Sequence, residues 1–270
     1  MAIELIGTKI HKSGEVVKSS QKSVSVACEE ALQISINEIP YTITMRTPGA
    51  DCALIQGLLF TENIYHGTPL KLSSYDFDDQ KNPTHINVEI AEDQLLKDIS
   101  GNRTLISSSS CGFCGKKDLK DIELRGAPIV DSASIAFKHI QVLFDEISSH
   151  QLIFSETGGV HAAALFSKEQ QLLSIYEDIG RHNAVDKVIG NVHKDGNLSE
   201  AKILLITGRV SYEILAKAFR AKIPIILAIS APTSLAVEMA VDLGITIAGF
   251  CRENSATVYS HPERILWGEQ

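Results

Sequence analysis

The sequence has no excess of positive charge, no long apolar run and no cysteine framework, and each absence removes a class of function. Its 25 Lys and Arg face 33 Asp and Glu, a net charge of −8 over 270 residues. An acidic chain without a long basic run suits neither bulk nucleic acid nor a membrane surface, although a small anionic ligand needs only a local positive site. No stretch approaches the ~18 consecutive apolar residues that span a bilayer. Glu4 and Gly7 interrupt what would otherwise be a signal-like start. The five cysteines, at 28, 52, 111, 114 and 251, are odd in number and lack framework spacing. These absences predict a cytoplasmic protein in a reducing compartment, with no nucleic acid and no membrane among its partners. Neither common nucleotide fingerprint, G-x-G-x-x-G or G-x-x-x-x-G-K-[ST], occurs.

What is present is a globular composition, 44% hydrophobic and 21% charged, which is incompatible with general disorder. Leu32, Ile34 and Ile36 alternate with polar residues, and Tyr41, Ile43 and Met45 do so again after Asn37-Glu38-Ile39-Pro40, a hairpin pattern. A short helix is expected over Asp51 to Thr61, a strand over Thr84 to Ile90, and a surface loop over 73–83. Helical spacing predicts a helix from Ser132 to Ser148, capped by Asp131 or Ser132. Strands at Val160–Phe166, Leu172–Tyr176, Lys202–Ile206, Ile223–Ile229 and Ile245–Gly249 follow. Helices at His182–Val192, Tyr212–Ala221 and Ser234–Leu243 separate the later ones. Alternation at this spacing implies βαβ units and a parallel sheet. The chain thus divides into a β-rich N-terminal subdomain (1–104), a mobile CxxC loop (105–130) and an α/β domain (131–270).

Three patterns carry chemistry. Cys111-Gly112-Phe113-Cys114 follows four serines and precedes Lys116 and Lys117. A structural zinc site needs four ligands, whereas Cys28, Cys52 and Cys251 stand alone, so no structural metal is expected. Cys28 and Cys52 read as small buried hydrophobes. A thioredoxin-like redox pair and a nucleophilic thiol that relays sulfur both remain open; the latter requires a thiolate, which nearby lysines favour. The second pattern, Glu177 to Ala184, lies between a strand and a helix, where Arg181, His182 and Asn183 could meet an anion at the helix N-terminus. The alternative is a charged connection with Asp178 or Asn183 as cap. Third, Thr207-Gly208-Arg209, Ser230 to Ser234 and Phe250 to Asn254 each follow a parallel strand. They would share the carboxyl edge of the sheet, where open α/β sheets bind ligands. Arg181, His182, Arg209, Ser230, Thr233 and Arg252 are therefore expected around one cavity. His161 reads more readily as a hydrogen-bonded core residue.

On these residues the chain resembles the FdhD family of formate dehydrogenase accessory sulfurtransferases. The match runs through Met45 to Gly49, the serine run into Cys111–Gly115, Thr157 to Ala163, Glu177 to Lys187, Thr207 to Ser211, Ser230 to Thr233 and Gly249 to Arg252. The resemblance implies a cytidine-deaminase-like α/β fold with a parallel or mixed sheet. It also implies a sulfurtransferase that takes sulfur from a cysteine desulfurase as a cysteine persulfide. The sulfur would pass to the molybdenum bis-(molybdopterin guanine dinucleotide) cofactor, bound as substrate, for formate dehydrogenase; a non-catalytic cofactor chaperone is the alternative. By the same resemblance Cys111 bears the persulfide, Cys114 is an auxiliary thiol, and Phe250, Cys251, Arg252, Glu253, Asn254 and Ser255 contact the cofactor. After Arg252 the chain departs from the family's glycine and basic or aromatic run. It also lacks a deaminase H-x-E, since Ala162-Ala163 follow His161, so deaminase chemistry is not implied. A homodimer is left open.

Overall fold

The computed structural model describes residues 1–97, 99, 124 and 126–268. Cys111 and Cys114, with most of the expected 105–130 loop, lie outside the described residues.

Strands β1 (Ala2–Ser13) and β2 (Val16–Ala27) form an antiparallel two-stranded ribbon. The expected hairpin is β3 (Glu30–Ile36) and β4 (Ile39–Arg46). Asn37 and Glu38 between them have φ of 50° and 64°, the paired positive values that match a tight turn to strand twist. With β5 (Lys71–Phe77) and β6 (Pro83–Glu89) they make a four-stranded sheet in the order β4-β3-β6-β5. The surface loop expected over 73–83 is corrected here: its first part is edge strand β5.

Leu32, Ile34 and Ile36 point into a core shared with Ile86, Val88 and the helix α1 (Asp51–Thr61). Fully burying each such side chain contributes ~1.5–3 kcal/mol.

The larger body is a six-stranded mixed sheet in the order β13-β12-β11-β10-β8-β9. Its strands are β8 (His161–Ser167), β9 (Leu172–Asp178), β10 (Ala201–Ile206), β11 (Ile225–Ala228), β12 (Thr246–Arg252) and β13 (Ser255–Ser260). The sequence expected β10, β11 and β12 to be parallel, and they are; β8 and β13 run antiparallel to their neighbours. One face is covered by α4 (Arg181–Lys194), α5 (Tyr212–Arg220) and α6 (Ser234–Leu243), the other by α2 (Phe137–His150). Helix α2 starts five residues later than its spacing predicts. Asp131 accepts the Ala133 N–H at 2.7 Å, and Ile135–Ala136, forming β7, pair with β14 (Ile265–Leu266), which keeps this stretch extended. A short α3 (Leu152–Thr157) precedes β8.

The two sheets meet through α1 and α4. A Cβ on Gly190 would lie 2.0 Å from the Ala53 carbonyl oxygen, so only glycine permits this backbone approach. Lys217 of α5 reaches across to Asp186 of α4 at 2.8 Å and to Thr61 of α1 at 3.0 Å, all buried. Breaking such a pair would strand a buried charge. No helix among the described residues is long and apolar enough to cross a membrane.

Candidate functional site

The topology brings the carboxyl ends of β9, β10, β11 and β12, and the amino end of β8, to one sheet edge. The loops that leave this edge contain most of the residues singled out above.

At the β9 end, Asp178 is fully buried and organises the turn into α4. Its Oδ1 accepts from the Gly180 N–H at 2.8 Å and from Asn183 Nδ2 at 3.1 Å. Its Oδ2 accepts from the Thr47 N–H at 3.2 Å and from Lys187 Nζ at 2.7 Å. Lys187 also donates to the Thr47 carbonyl, Asn183 donates to the Met45 carbonyl, and the Ile179 N–H donates to Thr47 Oγ1. The Met45–Gly49 and Glu177–Lys187 motifs are therefore two halves of one buried joint. Both blocks are legible in the sequence but their pairing is not; the signal is that the Glu177–Ala184 block holds more polar groups than a cap requires.

That joint projects Arg181 and His182 toward the ends of β8 and β10. Gly208 is buried there, and a Cβ on it would lie 3.2 Å from Arg181 Cβ and Cδ and 3.4 Å from His161 Nδ1. The absence of a side chain lets the Arg181 stem lie across the end of β10. His161 is thus at the site rather than in the core. Its ring is held below the usual histidine range by burial, then by Arg181 and Arg209, with Asp178 opposing. His182 is buried and pushed down to about 3, by burial first and then by Arg181, Lys217 and His161. Its Nε2 lies 3.4 Å from Ser211 Oγ and 4.0 Å from Glu213; a neutral ring makes the latter no ion pair. Its Nδ1 is buried without a hydrogen-bond partner among the described residues.

Farther along, Ser230 Oγ donates to the Thr207 carbonyl at 3.3 Å, and the Phe250 N–H donates to the Ser230 carbonyl. Arg252 donates to the Ile229 carbonyl at 3.1 Å and to that of Cys251 at 3.0 Å. Arg209, Phe250, Arg252, Glu253, Asn254 and Ser255 are exposed. Glu253-Asn254 form the turn between β12 and β13, beside the Arg252–Ser255 pair. Thr233 is exposed but its Oγ1 caps α6 by accepting the Ala236 N–H at 3.4 Å.

Two thiol assignments need correction. Cys251 faces the core at 3% exposure, with Sγ against the Ala248 carbonyl, and burial pushes its thiol up to about 11. Only its backbone could serve a ligand. Cys52 is exposed, not a buried hydrophobe, while Cys28 is buried as expected.

The edge gathers three arginines and two neutral imidazoles, with the nearest buried carboxylate, Asp178, already committed to Lys187. Such a set fits an anionic group: the arginines supply charge-assisted donors, and the orphan His182 nitrogen supplies one buried polar contact. A separate cavity of about 360 Å³ opens behind β9, lined by Thr47, Pro48, Ile153, Tyr176, Glu177 and Lys187 among others. Arg181, His182, Arg209, Ser230, Thr233 and Arg252 share the sheet edge and do not line this cavity.

Comparison with known proteins agrees with this geometry. The family model described as FdhD/NarQ family matches residues 27–266. The sulfur carrier protein FdhD of Sulfolobus acidocaldarius is 42% identical over 258 residues, covering 95% of this chain and 97% of its own. The sulfur carrier protein FdhD of Mycobacterium tuberculosis is 40% identical over 266 residues, covering 94% and 96%. A crystal structure of a candidate formate dehydrogenase accessory protein from Desulfotalea psychrophila superposes with a TM-score of 0.75 at 22% identity, covering 97% of this chain and 99% of that one. The family model over residues 27–266 and relatives at 40–42% identity over nearly the whole length lead to one conclusion: the chain belongs to the FdhD/NarQ family.

Proposed function

We propose that the protein is a cytoplasmic sulfurtransferase that receives sulfur on Cys111 from a cysteine desulfurase and delivers it to the molybdenum bis-(molybdopterin guanine dinucleotide) cofactor, its substrate, on behalf of formate dehydrogenase. The observation that carries this reading is the convergence of Arg181, Arg209 and Arg252 on one sheet edge, in a chain whose curated relatives are named sulfur carriers. Arginine presents fixed donors to phosphate oxygens, and the dinucleotide portions of the substrate carry such phosphates. Arg181 is set by the Asp178 joint, Arg209 is exposed beyond the end of β10, and Arg252, exposed at the end of β12, is tied to the Ile229 and Cys251 carbonyls.

In the loading step the Cys111 thiolate attacks the terminal sulfur of the donor's persulfide. A new Cys111 S–S bond forms, the donor's S–S bond breaks, and the donor cysteine leaves as a thiolate, so the exchange needs no outside oxidant or reductant. Cys114 is the auxiliary thiol. The test is mass spectrometry after incubation with a desulfurase and cysteine. A one-sulfur adduct on Cys111, lost in Cys111→Ala and kept in Cys114→Ala, is the expected result. An adduct confined to Cys114, or none at all, overturns the assignment.

A further inference from the structure

The residues up to Ala27 form an arm, β1 and β2, that sulfur transfer as described does not use. Among the described residues, strands β1 and β2 pair with each other and with no other strand. The outer edge of each therefore presents unpaired N–H and C=O groups, a template for strand addition. Twelve residues per strand give a ribbon about 40 Å long. Helix α3 packs against its base, and every residue from Thr8 to Ser23 is exposed.

The charge of the arm opposes that of the body. It holds four lysines against two glutamates, a net +2, so the rest of the chain carries −10. The register places Lys9, His11, Lys18 and Lys22 on one face, with His11 directly opposite Lys18. Neither glutamate shares that face: Glu4 is on the other, hydrogen-bonded to Ser23 and Ser25, and Glu15 is in the turn. Among the described residues the lysine ion pairs involve other lysines and none of these four. Apolar Ile10 and Val17 on the opposite face are 66% and 62% exposed.

Lysines on a free edge guard it against a second arm, because pairing two arms would bring like charges together. They do not guard it against a strand rich in Asp or Glu. A nucleic acid would neutralise the lysines but leave the edge amides and exposed side chains such as Ile10 and Val17 without partners. We propose that the β1–β2 arm is a docking element for an acidic, extended segment of a partner protein, which adds to the ribbon as a third strand. This proposal does not depend on which cysteine bears sulfur.

The probe is a fluorescent peptide of alternating Glu and Val, titrated by anisotropy with the full chain. Binding that weakens with salt, and by roughly tenfold in Lys9→Glu/Lys18→Glu/Lys22→Glu, is expected, in line with the modest worth of exposed charge pairs. The same peptide N-methylated at alternate amides should bind more weakly still, since it cannot complete the ladder. Cys111→Ala should bind the peptide as the parent does, which keeps this test separate from sulfur loading. If the triple variant fails to fold, Lys18→Ala alone should weaken binding about twofold. Equal affinity for the parent and charge-reversed chains, or for the methylated and plain peptides, overturns the proposal. So does preference for single-stranded RNA or phosphatidylglycerol vesicles over the peptide, or a dimer in size-exclusion chromatography that shuts the peptide out.

Discussion

At the β9 end of the sheet edge, Asp178, Asn183 and Lys187 are buried and each has fixed partners, whereas at the β10–β12 end Arg209, Glu253 and Asn254 stand in solvent. Both ends come from polar blocks that look alike in the sequence. The difference teaches that polar density alone does not separate a joint from a binding surface. At the first end the polar groups consume one another and fix the backbone; at the second they are left for something outside the chain. Substitutions should therefore split cleanly, with stability lost at one end and affinity at the other.

The largest effect is expected from Lys187→Met. It leaves the Asp178 carboxylate buried without its cation, and removing one partner of a buried pair costs about 3–5 kcal/mol. For a chain of this size that corresponds to a fall of roughly 10 °C in Tm, read by thermal unfolding. A loss below about 1 kcal/mol would show that the three N–H donors to Asp178 suffice without the lysine, and the contrast between the two ends would collapse.

Arg209→Ala tests the other end. An exposed side chain away from caps and cores changes stability by only about 0.5 kcal/mol. A charged donor to phosphate contributes ~1.5–3 kcal/mol, so guanine-nucleotide affinity measured by titration calorimetry should fall by about ten- to a hundredfold at unchanged Tm. A matching loss of stability would make Arg209 part of the joint.

Much of this division was legible in the sequence, and the rest was hidden for identifiable reasons. Helices α1 and α6 have the bounds their patterns predict, because each presents apolar residues to a core between clear turn signals. The parallel run of β10, β11 and β12 followed from strand–helix alternation. The β1–β2 ribbon went unread because both of its faces meet solvent, so no alternation of apolar and polar residues marks it. Edge strand β5 hides behind Ser and Asp residues of turn composition, and its pairing with β6 is a long-range fact. At the site, Arg209 and Arg252 could be placed from topology alone. The Asp178–Thr47 contact joins residues 131 apart in the chain, and no local pattern announces it.

His182 lies between the two ends and sharpens the comparison through pH. Its folded-state pKa, about 3, is below the ordinary value near 6.5, so the unfolded chain binds the extra proton first. The neutral ring costs nothing above the unfolded value. Stability is lost as pH falls from about 6.5 toward 3, by up to ~1.4 kcal/mol per unit. At pH 5 the loss is about 2 kcal/mol, and His182→Gln should be spared that part. Arg181, Lys217, His161 and Glu213 remain in both proteins, so the difference between the two pH profiles isolates the ring. Parallel profiles would mean that His182 takes up its proton as readily in the folded chain as in the unfolded one.

The smallest effect is expected from Cys251→Ala, the residue whose neighbours in sequence belong to the exposed end and whose side chain does not. Phe250 and Arg252 on either side face outward, while the Cys251 sulfur packs near Ala248 in the core below β12. A break in strand alternation accounts for this: the register shifts between Gly249 and Arg252 and Phe250 has φ of 52°, so Cys251 turns to the same core as Ala248. Removing one buried sulfur should cost about 1 kcal/mol, at the low end for a core truncation, and guanine-nucleotide affinity should stay within about twofold because no ligand can touch the thiol through the sheet. Thiol labelling gives an independent check. A thiol raised to about 11 by burial reacts slowly, so iodoacetamide on the folded chain should modify exposed Cys52 well before Cys251, as read by peptide mass spectrometry. Rapid labelling of Cys251, or loss of nucleotide binding in Cys251→Ala at unchanged Tm, would move this side chain from the core to the site.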